Sequence, residues 1–478
     1  MTFVIPLSKA EGPFSRQVYR WFRRAILLGT LQAGARLPST RDLAEQLHLS
    51  RTVVLLGYDQ LLAEGFVQSQ KGSGTYVSHG LRSSQAKVAK PSAKLSLSDF
   101  GFSAVATASK IDFPGQRLTP LRYDFAYARS NVESFPFEAW LRLLMRRARK
   151  APLREFEYGP AAGSPALREA ISAHLRRSRA VVCDAEQVII VNGSQQALDL
   201  AVRVLLNRGD RVVIEEPQYQ GAREIFRAAG ARLCAVPVDG EGLDPARLPP
   251  KARIAHLTPS HQFPTGAILP LARRLALLEW AKRADAAVIE DDYDGEFRYE
   301  GQAVESLQGL DTDGRVIYTG TFSRTIFPAL RIGYLVAPKA LVPALTSAKW
   351  LCDRHTPILE QEALAGFISS GAYERHLRRT RRRIARQRTA LLESIQRHLG
   401  NRVTVTGAGS GTHIVLWPRR RVSERNIIAE AAVRNVGIYG ISAYFSRRPP
   451  GAGFLLGYSR LNEQEIREAI RRLSETKL

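Results

Sequence analysis

GTFSRTIFPALRIGY, residues 320–334, decides how the rest of this chain is read. It follows the β-rich run RVIYTG (315–320) and sets two hydroxyls, Thr321 and Ser323, and two guanidinium forks, Arg324 and Arg331, in one short loop. Planar forks and hydroxyls suit the oxygens of a phosphate, which accept several hydrogen bonds at once. Working outward, QVIIVN (187–192), RVVIEE (211–216), ARLCAVPV (231–238), RIAHLT (253–258) and AAVIED (286–291) are short β-rich runs, mostly separated by helical stretches. That alternation predicts an α/β unit with a largely parallel sheet covered by helices. Such sheets bind ligands beyond the carboxyl ends of their strands.

Three further stretches fall at those ends. NGSQQALDL (192–200) turns from strand to helix at Gly193, Ser194 and Gln195, where free amides and the helix dipole face an anion. VIEDDYDGEF (288–297) places Asp291 and Asp292 just past an apolar strand, where a carboxylate can keep a pyridine nitrogen protonated, with Tyr293 within reach of a ring hydroxyl. Its four acids (Glu290, Asp291, Asp292, Asp294) also read as a Mg²⁺ site or as a solvated loop. EEPQYQG (215–221) supplies Tyr219, which stacks on a ring or simply packs.

After about residue 345 a long basic helix and the strands THIVLW, GIYGI and GFLLGYS predict a smaller α/β lobe. The helix carries YERHLRRTRRRIARQR (373–388), with eight arginines. Helical spacing spreads them around the cylinder, which reads as a solvated face; contact with a DNA backbone is the sharper alternative.

Residues 12–78 form a separate unit. FSRQVYRWFRRAILLG aligns Phe14, Val18, Phe22 and Ile26 on one helical face and stops at Gly29. Ser39 and Asp42 form a capping-box pattern, and Ser50 caps the next helix after the short turn HLS. FVQSQ, KGSG and TYVS then read as a β-hairpin, or wing. A recognition helix offers its first residues to the major groove. Arg51 there reads a guanine, Ser50 and Thr52 hold phosphate, Arg41 sits early on the preceding helix, and Lys71 and Gly72 form the wing tip. Residues 1–78 hold nine lysines and arginines against five acids.

Residues 79–121 lack periodicity and read as a linker; 122–345 and 346–478 are then the large and small domains of the body. The 478 residues carry a formal charge of +24, which favours a polyanionic partner, with nucleic acid first and an anionic membrane second. Three scattered cysteines argue against a disulfide framework and against metal-binding Cys pairs. With no apolar run of membrane-spanning length and no signal-peptide pattern, we expect a cytoplasmic protein.

ARLPSTRDLAEQLHLSRTVVLLGYDQLLAEGFVQSQKGSGTYVS (35–78) resembles the GntR-type winged helix. That resemblance implies operator contacts from Arg41, Ser50, Arg51, Thr52, Lys71 and Gly72. YGPAAGSPALREAI, NGSQQALDL, EEPQYQG, TPSHQFPTG, IEDDYDGEF and GTFSRTIFPALRIGY look like the successive motifs of a fold-type I aminotransferase, over roughly 123–478. Head, linker and body together resemble the MocR family of transcriptional regulators. By that resemblance Tyr219 stacks on pyridoxal phosphate, Asp291 pairs its ring nitrogen and Tyr293 its ring hydroxyl. Ser194, Gln195, Thr321, Ser323 and Arg331 hold its phosphate. Head-to-tail homodimers are implied as well.

Arg324 occupies the Schiff-base lysine position of that pattern, and a guanidinium stays protonated where a lysine amine can be freed. The expectation is therefore a regulator, without turnover, whose body holds pyridoxal phosphate or a pyridoxal phosphate–amino compound noncovalently. The alternatives are an aminotransferase with an accessory DNA-binding head, and a regulator of a different anionic metabolite. GFLLGYS places Leu455 and Leu456 where aminotransferases offer an arginine to the substrate carboxylate.

Overall fold

The computed structural model describes residues 3, 5–70, 72–79, 96–108, 121–127, 132–152, 157–299 and 305–478. The chain divides into two units, Met1–Ser96 and Leu97–Leu478.

The first unit contains α1 (Phe14–Leu27), α2 (Thr40–Gln46) and α3 (Arg51–Ala63), followed by the antiparallel pair β1 (Val67–Gln70) and β2 (Gly74–Val77). The four-residue spacing of Val18, Phe22 and Ile26 buries all three, against Leu43 of α2, Val54, Tyr58 and Leu61 of α3, and Val67 and Val77 of the hairpin. Phe14 stays half-buried at the helix start. A Cβ on Gly57 would stand 3.0 Å from the Ser15 carbonyl oxygen, so the missing side chain lets α3 cross close to α1.

In the second unit, α4 (Asp99–Ala108) lies within the stretch read as a linker. It is tied to the body by an Asp99–Arg208 ion pair and a 3.3 Å bond from the Thr107 hydroxyl to Glu224. After β3 (Tyr123–Asp124), α5 (Phe137–Lys150) and α6 (Pro165–Arg179) comes the alternating core. It runs β4 (Val188–Val191), α7 (Ser194–Leu205), β5 (Arg211–Glu216), α8 (Gln220–Ala228), β6 (Arg232–Asp239), β7 (Gly242–Leu243) and β8 (Ile254–Leu257). It continues with α9 (Leu271–Ala284), β9 (Ala287–Asp292), α10 (Leu307–Leu310), β10 (Val316–Thr321) and β11 (Gly333–Val336). The strands form one eight-stranded sheet in the order β4-β11-β10-β9-β8-β5-β6-β7. The pairings β10–β9, β9–β8, β8–β5 and β5–β6 are parallel, while β11 is antiparallel to both neighbours.

Each of the six β-rich runs of the sequence is a strand of this sheet. β11 lies at the end of the GTFSRTIFPALRIGY stretch, where IGYLV carries the apolar signal of a buried strand. β4, β5 and β8–β11 bury nearly every position, as strands covered on both faces must.

The C-terminal part adds α11 (Val342–Asp353), α12 (Ile358–Ser369), α13 (Ala372–His398), β12 (Val403–Thr406), β13 (His413–Pro418) and α14 (Glu424–Val433). It ends with β14 (Val436–Gly437), β15 (Tyr439–Gly440), β16 (Phe454–Gly457) and α15 (Glu463–Leu473). The order β12-β13-β16-β15 makes an antiparallel sheet. GIYGI, read as one strand, divides: β14 pairs with β3 and β15 with β16. Tyr123 and Phe125, which open the body, therefore sit in the core of the C-terminal lobe with Ile414, Leu456 and Ile470.

Candidate functional site

In the first unit the helix starts fold as capped ends. The Ser39 hydroxyl accepts from the Asp42 amide at 3.1 Å, and the Ser50 hydroxyl from the Val53 amide at 3.4 Å. Asp42 makes no return bond to Ser39 among the described residues, so the predicted box is a one-sided cap. Arg41, Ser50, Arg51 and Thr52 are all exposed, and the Arg51 Nε reaches Thr40 Oγ1 at 3.3 Å, so α2 and α3 present one polar edge. Gly72 turns the wing at φ 78°; Lys71 lies outside the described residues.

In the body the strand register gathers the remaining predicted residues. Val191 of β4 pairs with Gly333 of β11, Gly333 with Thr321 of β10, and Thr319 of β10 with Asp291 of β9. Gly193, at φ 84°, starts α7 without a side-chain cap, leaving the first amides of that helix unclaimed by any cap. Arg331 packs on this corner: its Nη2 donates to the Asn192 carbonyl at 2.9 Å, and a Cβ on Gly193 would fall 2.6 Å from that nitrogen. The Thr321 and Ser323 hydroxyls stand 3.0 Å apart, and Thr321 Oγ1 also accepts from the Ser323 amide at 3.1 Å. Tyr219 leans across, its hydroxyl 3.3 Å from Gln195 Oε1. Ser194, Gln195, Tyr219, Thr321, Ser323 and Arg331 thus surround one strand-end corner.

Asp291 is buried beside His256, 3.7 Å from its Nε2, with the Thr319 hydroxyl at 3.4 Å; both ring nitrogens of His256 lack a hydrogen-bond partner among the described residues. The Tyr293 hydroxyl lies 3.1 Å from His261 Nδ1 and donates to the His261 carbonyl at 3.0 Å. Burial pushes the Tyr293 phenol well above its usual range and the His261 imidazole down to about 4, so both are neutral at neutral pH. Arg324 is half-buried, its guanidinium carbon 5.6 Å from the Tyr293 ring and 6.0 Å from the Tyr127 ring. Phe263 packs at the middle of an aromatic wall with Tyr127, Tyr219, Tyr293, His413 and Tyr444. Leu455 is buried in the same cluster.

The four acids of VIEDDYDGEF diverge. Glu290 accepts from the Leu307 and Gln308 amides at 2.8 and 2.9 Å. Asp292 pairs with buried Arg179 at 2.7 Å, and Asp294 takes the Thr412 amide at 2.8 Å. Strand alternation sends neighbouring carboxylates to opposite faces, which the run of acids concealed. His261, Asp294 and His413 instead come within 4.8 Å of one another. Burial depresses both imidazoles and the nearby Arg324 charge adds to it, a setting that disfavours a second cation. His256, His261, Phe263, His413 and Arg179 were not picked out from the sequence. TPSHQFPTG carried the signal for two of them, lying at a strand end like the other motifs.

A mixed, mostly parallel sheet with these motifs at its strand ends, joined to a winged helix-turn-helix, defines a class: a DNA-binding head on an aminotransferase-type body. Residues 14–77 match the bacterial regulatory proteins of the gntR family and residues 123–473 the aminotransferases of class I and II. The "probable rhizopine catabolism regulatory protein MocR" of Rhizobium meliloti is 39 % identical over 97 % of this chain and 94 % of its own length. The "HTH-type pyridoxine biosynthesis transcriptional regulator PdxR" of Corynebacterium glutamicum is 31 % identical over 96 % and 95 %. Among solved structures, Pyrococcus horikoshii kynurenine aminotransferase in complex with PMP aligns with a TM-score of 0.70 at 28 % identity, over 80 % of this chain and 94 % of that one. The chain belongs to the MocR-type transcriptional regulators, with a GntR head and an aminotransferase-like domain of PLP fold type I.

Proposed function

We propose that this regulator reads a specific operator through Arg41, Ser50, Arg51, Thr52, Lys71 and Gly72, and that its body senses a vitamin B6 phosphate held noncovalently. The observation that carries the second half is the intact strand-end corner around a central Arg324. Uncapped amides at Ser194 and Gln195, the Thr321 and Ser323 hydroxyls and the Arg331 fork fit a phosphate, and Gly193 leaves the room a side chain would take. Asp291 fits a pyridinium nitrogen, and the His256 ring beside it has no hydrogen-bond partner among the described residues. Tyr219 and the Phe263 wall fit a flat ring.

Bound pyridoxal phosphate would supply an aldehyde and an electron-withdrawing ring to an amine. The chain's own part is to bind and orient. A guanidinium offers donors and no acceptor, so Arg324 adds charge without taking a proton from substrate carbon. Turnover is therefore not expected.

His413, Tyr444 and Leu455 of the C-terminal lobe share the aromatic cluster with Phe263 of the sheet lobe. A ligand seated there biases the closure of one lobe on the other, and effector control follows if it prefers one closure state. Exposed Leu141, Met145, Trp350 and Leu351 on α5 and α11 support a homodimer, which the family resemblance arranges head to tail.

Mass spectrometry of the natively purified chain, with calorimetric titration of pyridoxamine phosphate and pyridoxal phosphate, tests the reading. Stoichiometric, dialysable binding is expected. Silence in both titrations would leave a different anionic metabolite as effector, and sustained amino transfer would make the chain an enzyme.

A further inference from the structure

We propose that the outward face of α13 is a second DNA contact, made to phosphates rather than bases; this rests on the DNA-binding reading above. The eight arginines of residues 373–388 are not spread evenly around this helix. Arg375, Arg378, Arg379, Arg382 and Arg386 are exposed, and at 100° per residue they fall within an arc of about 100°, along about 16 Å of axis.

Of the less exposed arginines, Arg381 and Arg388 are used by the fold. Arg381 pairs with Glu296 at 2.6 Å, and Arg388 donates to the Ala408 carbonyl and lies over Tyr299. On the outer strip, Arg386 meets Glu463 at 3.1 Å and Arg375 donates to the Ser370 carbonyl at 3.3 Å. Arg378, Arg379 and Arg382 have no hydrogen-bond or ion-pair partner among the described residues. Glu374, the one carboxylate on the first turn, is 3.9 Å from Arg381.

The spacing makes this a costly surface for water alone. Arg375 and Arg379, Arg378 and Arg382, and Arg382 and Arg386 are like-charged pairs four residues apart, each destabilising the helix. A polyanion relieves all of them at once. Duplex DNA carries a negative charge every ~1.7 Å of axis, dense enough to engage several arginines along the strip. Most of the chain's +24 excess also lies in the body rather than the head.

The test uses the full chain and a mixed-sequence duplex of about 40 base pairs, with affinity followed from about 50 to 200 mM salt. Replacing Arg378, Arg379 and Arg382 together by Gln is expected to flatten the slope of log affinity against log salt by about 0.9 for each phosphate no longer neutralised. The same three positions changed to Lys should keep the slope. The Gln variant should melt no lower than the wild type, since repulsion is relieved. An unchanged slope in the Gln variant, with wild-type binding intact, overturns this proposal alone. Absence of duplex binding by the wild type overturns both this proposal and the DNA-binding reading. Loss of binding to vesicles containing phosphatidylserine, with an unchanged DNA slope, would assign the strip to membranes and also overturn it.

Discussion

Arg324 stands 5.6 Å from the Tyr293 ring centroid, so the centre of the body's cleft holds a fixed cation against an aromatic face. A guanidinium cannot give up a proton to become a nucleophile, whereas a lysine amine at this place can. Arg324→Lys should therefore gain a visible absorption band on addition of pyridoxal phosphate. Borohydride should then fix the ligand to the peptide containing residue 324, as read by mass spectrometry. The wild-type chain should show neither signal while still binding the ligand reversibly. If Arg324→Lys also stays colourless and binds nothing, the corner is not a B6 site.

Gly193 and Arg331 give a separate test of the phosphate end. A Cβ at residue 193 would lie 2.6 Å from Arg331 Nη2 and would be held at φ 84°. Gly193→Ala should cost about 1–3 kcal/mol of stability, because this positive-φ extended backbone is open essentially only to glycine, and should displace the guanidinium. Affinity for pyridoxamine phosphate should fall about tenfold or more, that for pyridoxamine hardly at all. Equal losses for both ligands would place the phosphate elsewhere.

The two sites were legible in the sequence to different depths. The strand-end residues could be read because a strand-end corner is local: Gly193-Ser194-Gln195 and Thr321-Phe322-Ser323 are each contiguous, and the period of the apolar runs places them. Pairings across long separations could not. Tyr123 joining Val436, and His413 reaching His261, depend on how the C-terminal lobe docks, and no local pattern records that. The acids of VIEDDYDGEF misled in the opposite way, since adjacency in sequence is separation across the sheet. The arginines of α13 looked evenly spread until burial sorted them into an inner and an outer set.

Glu215 sets a pH dependence. It is buried, accepts from the Thr258 amide and hydroxyl at 3.1 and 2.7 Å, and desolvation raises its carboxyl from 4.5 to about 7 despite those bonds. A carboxyl raised on folding binds more protons folded than unfolded. Its stabilisation is complete below about 4.5 and lost as pH climbs through about 7. Glu215→Gln keeps an acceptor for Thr258 without the buried charge. Above pH 7 the variant should be more stable than wild type by about 2 kcal/mol, and its denaturation midpoint should fall less between pH 5 and 8. Parallel pH profiles for the two proteins would show that Glu215 ionises normally.

Ser50 and Arg51 divide the work at the start of the recognition helix, and their variants should fail differently. The Ser50 hydroxyl caps α3 through the Val53 amide, so Ser50→Ala should lower the stability of the DNA-binding unit by about 1 kcal/mol. It should also weaken binding to all duplexes alike, because a phosphate contact carries no sequence information. Arg51 is exposed with its Nε on Thr40, and a bidentate contact to guanine is worth about 1–3 kcal/mol of discrimination. Arg51→Ala should leave melting unchanged but narrow the gap between the preferred operator and a duplex altered at one guanine. Operators selected from a random pool by the wild type, then measured against both variants, separate the outcomes. Equal retention of preference by Arg51→Ala would move base reading to another residue of α3.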